Sequence, residues 1–180
     1  MCSTPEETPL QRLFFALWPP PRLVPALVDL VRCHTPPRAR PTPPANLHVT
    51  LAFVGPVQVE TRACLERVAA TVRGESFELV LECLGAWPGP GILWLAPAQP
   101  PAALLRLVAD LGRALQACGY DPEPRPYRPH VTLARKLGDM PPATTVPPLR
   151  WPVRDFVLAE SVTGPEGPRY RVLARWPLTG

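Results

Sequence analysis

Two five-residue strings in this 180-residue chain are identical: residues 48–52 and residues 130–134 both read His-Val-Thr-Leu-Ala. The chain has three histidines, so two of the three lie in the repeat. An imidazole titrates near neutrality, and one such group can take up a proton while a second gives one away. On a strand, side chains alternate and residues two apart share a face. His48 and Thr50 therefore point one way, with Val49 and Leu51 opposite. His130 and Thr132 stand in the same relation to Val131 and Leu133. Brought together, two imidazoles and two hydroxyls can hold a phosphate and move protons on either side of it. One His-x-Thr strand alone reads more simply as a half-buried structural histidine; the repetition argues against that. The third, His34, precedes Thr35-Pro36-Pro37 and reads as a solvated residue at a helix end.

The elements that must position these groups follow from periodicity. Residues 12–18 (RLFFALW) predict a strand stopped by Pro19, and 22–33 predict a helix with Leu23, Leu27, Leu30 and Val31 at helical spacing. A strand over 47–54 ends at Gly55-Pro56, and 60–72 form an amphipathic helix. Strands follow over 77–84, with Phe77, Leu79, Leu81 and Cys83 on one face, and over 92–96. Residues 102–118 predict a helix striped by Leu104, Leu107, Val108, Leu111 and Leu115. Strands close the pattern at 130–134, 154–158 and 169–175. The prolines cluster at 19–21, 36–44, 122–129 and 141–148 and read as stiff loops. Strands with a few helices favour an α+β fold. Each repeat follows a helix and a proline-bearing loop, which suggests two pseudo-symmetric lobes offering one strand each to a shared cleft.

Composition narrows the partners. The net charge is +4, carried almost wholly by arginine, with Lys136 the only lysine. Guanidinium groups grip two phosphate oxygens at once, so an anionic partner is favoured. Arg125, Arg128 and Lys136 flank the second repeat, where they can track an RNA backbone or simply be solvated. Trp18, Trp87, Trp94, Trp151 and Trp176 lie in or beside apolar strands and read as core. The five cysteines, Cys2, Cys33, Cys64, Cys83 and Cys118, lack zinc-ligand or redox spacing and read as reduced thiols. No apolar run reaches membrane-spanning length, and Glu6 and Glu7 argue against a secretory signal. No glycine-rich nucleotide loop, paired catalytic carboxylates or metal-ligand cluster is visible.

The paired His-x-Thr strands resemble the 2H phosphoesterase superfamily. The strings PPANLHVTLAFVG (43–55) and YRPHVTLAR (127–135) resemble its RNA 2′,3′-cyclic phosphodiesterase branch, once named 2′-5′ RNA ligase. RLFFALWPP (12–20), FVLAESV (156–162) and YRVLARWPL (170–178) fit that branch too, so the resemblance spans nearly the whole chain. It implies a bilobal α+β domain over residues 1–180, with two antiparallel sheets facing a central cleft and helices outside. It implies hydrolysis of a terminal 2′,3′-cyclic phosphate on RNA to a 2′-phosphomonoester without a metal. No cofactor is expected, the reduced thiols point to the cytoplasm, and a monomer is the expectation, with the oligomeric state left open. By position, His130 matches the proton acceptor, His48 the proton donor, and Thr50, Thr132 and Arg135 the phosphate-binding groups. Arg135 poses a difficulty: five residues after His130, an ideal strand aims it at the opposite face, so the strand must bend or end first. The equivalent slot in the first repeat is Phe53, which serves either as plain core or as a stacking surface for a base.

Three other readings stay open. A 2H phosphoesterase can act on small cyclic phosphates or 2′-5′-linked oligonucleotides, including reverse ligation. A non-catalytic RNA-binding module can keep the fold, although both motifs are complete here. A metal-binding protein fits least, since two strand histidines supply too few ligands.

Overall fold

A computed structural model describes residues 10–139, 141–165 and 167–180. Its elements run β1 (Gln11–Leu17), α1 (Val24–His34), β2 (Arg40–Pro41), β3 (Val49–Val57), α2 (Val59–Ala69), β4 (Phe77–Trp87), β5 (Ile92–Ala96), α3 (Ala102–Leu115), β6 (Val131–Arg135), β7 (Thr144–Val153), β8 (Asp155–Gly164) and β9 (Gly167–Pro177). Strand order is β7-β4-β5-β6-β3-β1-β8-β9, with the short β2 also on β6. Every pairing between these strands is antiparallel. The expected two sheets are present as the halves β7-β4-β5-β6 and β3-β1-β8-β9. They meet edge to edge through one residue pair, Val49 opposite Val131. That join brings the two His-x-Thr strands side by side.

Burial explains the strands. Leu13, Phe15 and Leu17 of β1 enter the main core, while Phe14 and Ala16 face a second cluster with Val157 and Ala159 of β8. β1 is thus covered on both faces, which is why its sequence is a continuous apolar run. The helices pack on the main-core side. Leu104, Leu107, Leu111 and Leu115 of α3 are each 1% exposed or less, and burying such a side chain contributes about 1.5–3 kcal/mol. The helices also tie the halves together, with α1 against β6 and α3 against β3.

The structure departs from the sequence expectations in four places. Gly55 and Pro56 do not end β3. Gly55 takes a left-handed φ of 89° opposite an irregular step of β1, and the strand continues. Among the described residues no strand covers the other edge of β3 at Pro56, so its missing N–H breaks no ladder. The prolines at 147 and 148 lie within β7, an edge strand, where they again interrupt no inner ladder. Residues 141–148 are therefore not simply a loop. The burial alternation of β4 breaks after Leu81, beside a register shift against β7 whose extra residues lie on β7, and Leu84, at 3% exposed, enters the core. Finally, Cys64 of α2 and Cys118 just past α3 form a disulfide, with Cα atoms 5.8 Å apart, which corrects the reading of reduced thiols for that pair. Helix packing closed a gap of 54 residues that spacing does not reveal. Cys33 and Cys83 are free thiols; Cys2, Glu6 and Glu7 lie outside the described residues. No described helix is long and apolar enough to cross a membrane.

Candidate active site

His48 and His130 sit one residue before β3 and β6, and the Val49–Val131 pair makes them neighbours. Both strands then carry the same irregularity. Along β3, Thr50 and Ala52 face consecutive residues of β1, leaving Leu51 extra. Along β6, Thr132 and Ala134 face consecutive residues of β5, leaving Leu133 extra. The two residues Leu51 and Ala52 are both buried, as are Leu133 and Ala134. Each bulge shifts the alternation by one. Phe53 and Arg135 therefore return to the face that carries Thr50 and Thr132. This resolves the difficulty over Arg135. It also corrects the core reading of Phe53, which is 51% exposed.

All six residues singled out by the sequence line one cleft of about 420 Å³: His48, Thr50, Phe53, His130, Thr132 and Arg135. Arg12, Phe14, Ser161, Thr163 and Tyr170 also line it. A larger groove of about 720 Å³ runs along Pro19–Pro21, Pro44 and Trp151. Its charged groups are Arg154 and the Asp155–Arg175 ion pair. It is lined by neither motif histidine, so the smaller cleft is the candidate site. Arg125, Arg128 and Lys136 are not among the cleft-lining residues; Arg125 pairs with Glu123 in solvent. His34 closes α1.

The imidazoles are anchored alike. Nδ1 of His48 lies 2.7 Å from the carbonyl oxygen of Asn46, and Nδ1 of His130 lies 2.7 Å from that of Arg128. A carbonyl only accepts, so each Nδ1 carries the proton and each Nε2 is the unprotonated nitrogen of the neutral ring. Nε2 of His48 is 3.0 Å from the Thr50 hydroxyl. Burial pushes the His48 pKa down to about 4, against the raising effect of its Asn46 bond, and the nearby His130 and Arg135 push the same way. His130 is also lowered, by burial first and then by Arg135. Arg135 is thus close enough to act on both rings.

Several supporting groups were not picked out from sequence. Trp18 stacks on His48 at 5.8 Å between centroids, and Phe14 and Tyr170 approach the same ring at 5.0 and 5.3 Å. Trp87 meets His130 edge-on at 4.6 Å. Trp18 and Trp87 are therefore site walls; Trp151, 1% exposed, is core as expected. Asn46 is buried; its amide donates to the Pro168 carbonyl and accepts from the Tyr170 N–H. It staples β9 to the loop before His48. Tyr127 donates from its hydroxyl to the Thr50 carbonyl at 2.9 Å, linking one repeat to the other. The readable signal was the spacing: Asn46 and Arg128 each stand two residues before a motif histidine. Among the described residues no three His, Cys, Asp or Glu side chains cluster as metal ligands.

The family model described as the 2′-5′ RNA ligase superfamily matches residues 19–165. The RNA 2′,3′-cyclic phosphodiesterase of Escherichia coli is 37% identical over 174 residues, 94% of this chain and 97% of that protein. The protein of the same name from Thermus thermophilus is 34% identical over 192 residues, 94% of this chain and 91% of its own length. Among solved structures, E. coli LigT in its apo form superposes with a TM-score of 0.84 at 35% identity, over 96% of this chain and all of that one. With the paired motifs in one cleft and these relatives matched along nearly their whole length, this chain belongs to the 2′-5′ RNA ligase superfamily.

Proposed function

We propose that this chain hydrolyses the 2′,3′-cyclic phosphate at an RNA end to a 2′-phosphomonoester and a free 3′ hydroxyl. The observation that carries the reading is the matched pair of imidazoles. Each is held at Nδ1 by a carbonyl two residues upstream, beside a threonine, in one cleft. Neutral His130 takes a proton from water at Nε2 as the water oxygen adds to phosphorus. Charged His48 gives its Nε2 proton to the 3′ oxygen as the P–O3′ bond breaks. Thr50, Thr132 and Arg135 hold the phosphate oxygens, and the exposed ring of Phe53 offers a base a stacking surface. In the empty cleft both rings are weak bases, His48 especially. A phosphate anion set between them favours their charged forms, so substrate itself arms the acid.

The reaction is written without a metal, by residues 1–180 acting as one bilobal monomer in the cytoplasm. The identity with the E. coli and Thermus enzymes supports the substrate class. Phosphorus NMR of the product formed from an RNA end in excess chelator tests the reading. A 2′-phosphomonoester is expected. A 3′-phosphate reverses the assigned geometry, and loss of activity restored by added zinc or magnesium overturns the mechanism.

A further inference from the structure

We propose that Arg12, with the hydroxyls of Ser161 and Thr163, forms a second anion subsite that takes the internal phosphodiester just upstream of the reacting RNA end. The inference rests on the hydrolytic reading above and adds recognition of the chain to it.

The strand faces bring these groups together. On β1, Arg12 shares a face with Phe14 and Ala16, and Phe14 lies against the His48 ring. Two residues along a strand span about 7 Å, so Arg12 stands on the scale of one nucleotide from the acid–base pair. On β8, Val157 and Ala159 pack with Phe14 and Ala16, and Ser161 and Thr163 continue that face. Leu13 pairs with Glu160; the same register continued sets Ser161 opposite Arg12. All three groups line the cleft that holds the histidines.

Two cationic positions stand apart in the cleft. Arg135 lowers both imidazole pKa values and so sits by the reacting phosphate. Arg12 lies two residues, about 7 Å, along β1 from Phe14. Arg12 is exposed and rests 5.0 Å over the Phe53 ring, with no carboxylate partner among the described residues. Arg62, Arg171 and Arg175 are by contrast each in an ion pair. Glu160, beside Arg12 in the register, is buried on the other strand face and is held by Arg171 and Gln11. The repeat makes the same point: the position matching Arg135 is Phe53, and the guanidinium lying on Phe53 supplies that half of the cleft with its cation. Two cations on one cleft fit two successive phosphates of a chain.

The test compares adenosine 2′,3′-cyclic phosphate, which has no upstream phosphate, with ApA ending in a 2′,3′-cyclic phosphate. Arg12→Ala is expected to lower the dinucleotide-to-nucleoside ratio of kcat/KM about tenfold or more. Arg12→Lys should restore part of it, and Ser161→Ala should lower it less. An unchanged ratio, or equal losses on both substrates, overturns the subsite. A wild-type chain that turns over neither substrate sinks the hydrolytic reading by itself. The subsite is then decided by binding of a single-stranded RNA ending in a 2′-phosphate. Its affinity should fall less steeply with salt in Arg12→Ala, by about 0.7 in the log–log slope, and an unchanged slope overturns it.

Discussion

What surrounds an imidazole decides when it gives up its proton, and the two here are surrounded differently. His48 is enclosed by Trp18, Phe14 and Tyr170, and its pKa falls to about 4. His130 has Trp87 at its edge and is lowered by burial and Arg135. The profile of kcat/KM reports the free enzyme. Its two apparent pKa values belong to the coupled pair, and its maximum should lie below pH 6.5. In the kcat profile, bound phosphate raises both values, so that maximum should lie at higher pH. Coincident maxima above pH 7 would mean that burial does not control the pair. His48→Ala and His130→Ala should each cost about 10²-fold or more in turnover while circular dichroism stays native. In the residual activity, loss of His130 should remove the acidic-side limb and loss of His48 the alkaline-side limb.

At the scale of elements, the shared bulge is what converts a repeat into a site. Without the extra residues Leu51 and Leu133, Phe53 and Arg135 would point into the core, where a guanidinium without a partner is costly. The bulge buries two consecutive apolar residues on each strand and frees the next for the cleft. The disulfide acts on other elements. It links α2 to the turn after α3, and that turn leads into the segment carrying Tyr127 and the Arg128 carbonyl. Closing a loop of 54 residues constrains the unfolded chain by about 4 kcal/mol in the chain-entropy model. The Cys64→Ser, Cys118→Ser double variant should therefore unfold at lower urea than the oxidised wild type. Reductant should move the wild type toward the variant and leave the variant where it is. Identical urea midpoints would mean that the bond adds nothing to stability.

At the scale of the whole molecule, the buried histidines make stability depend on pH. His48 takes a proton near pH 6.5 when unfolded and near pH 4 when folded. Between those values the unfolded state binds more protons, so stability rises with pH and is lost as pH falls. His130 contributes with the same sign. The thermal midpoint should drop from pH 6.5 toward pH 4, less so in His48→Gln, since carboxylates titrate in both proteins. Inorganic phosphate should raise the midpoint by binding the folded cleft. An equal drop in wild type and His48→Gln would show that the His48 charge is not what the fold resists.

The chain order of residue types by itself determined the repeat, the sharing of a face by histidine and threonine, and most helices and strands. These are local properties of period and composition. It also determined the apolar stripe of α3, because Leu104, Leu107, Leu111 and Leu115 recur at helical spacing. Tertiary structure decided what depends on partners distant in sequence. The bulges at Leu51 and Leu133 exist only in register against β1 and β5. Pro56 and the prolines of β7 are tolerated because of which strand edges stay open. Cys64 and Cys118 meet because α2 packs on α3. Trp18 and Trp87 look like core residues in the sequence, yet they wall the imidazoles, because apolar character says that a ring will be covered and only the fold says by what.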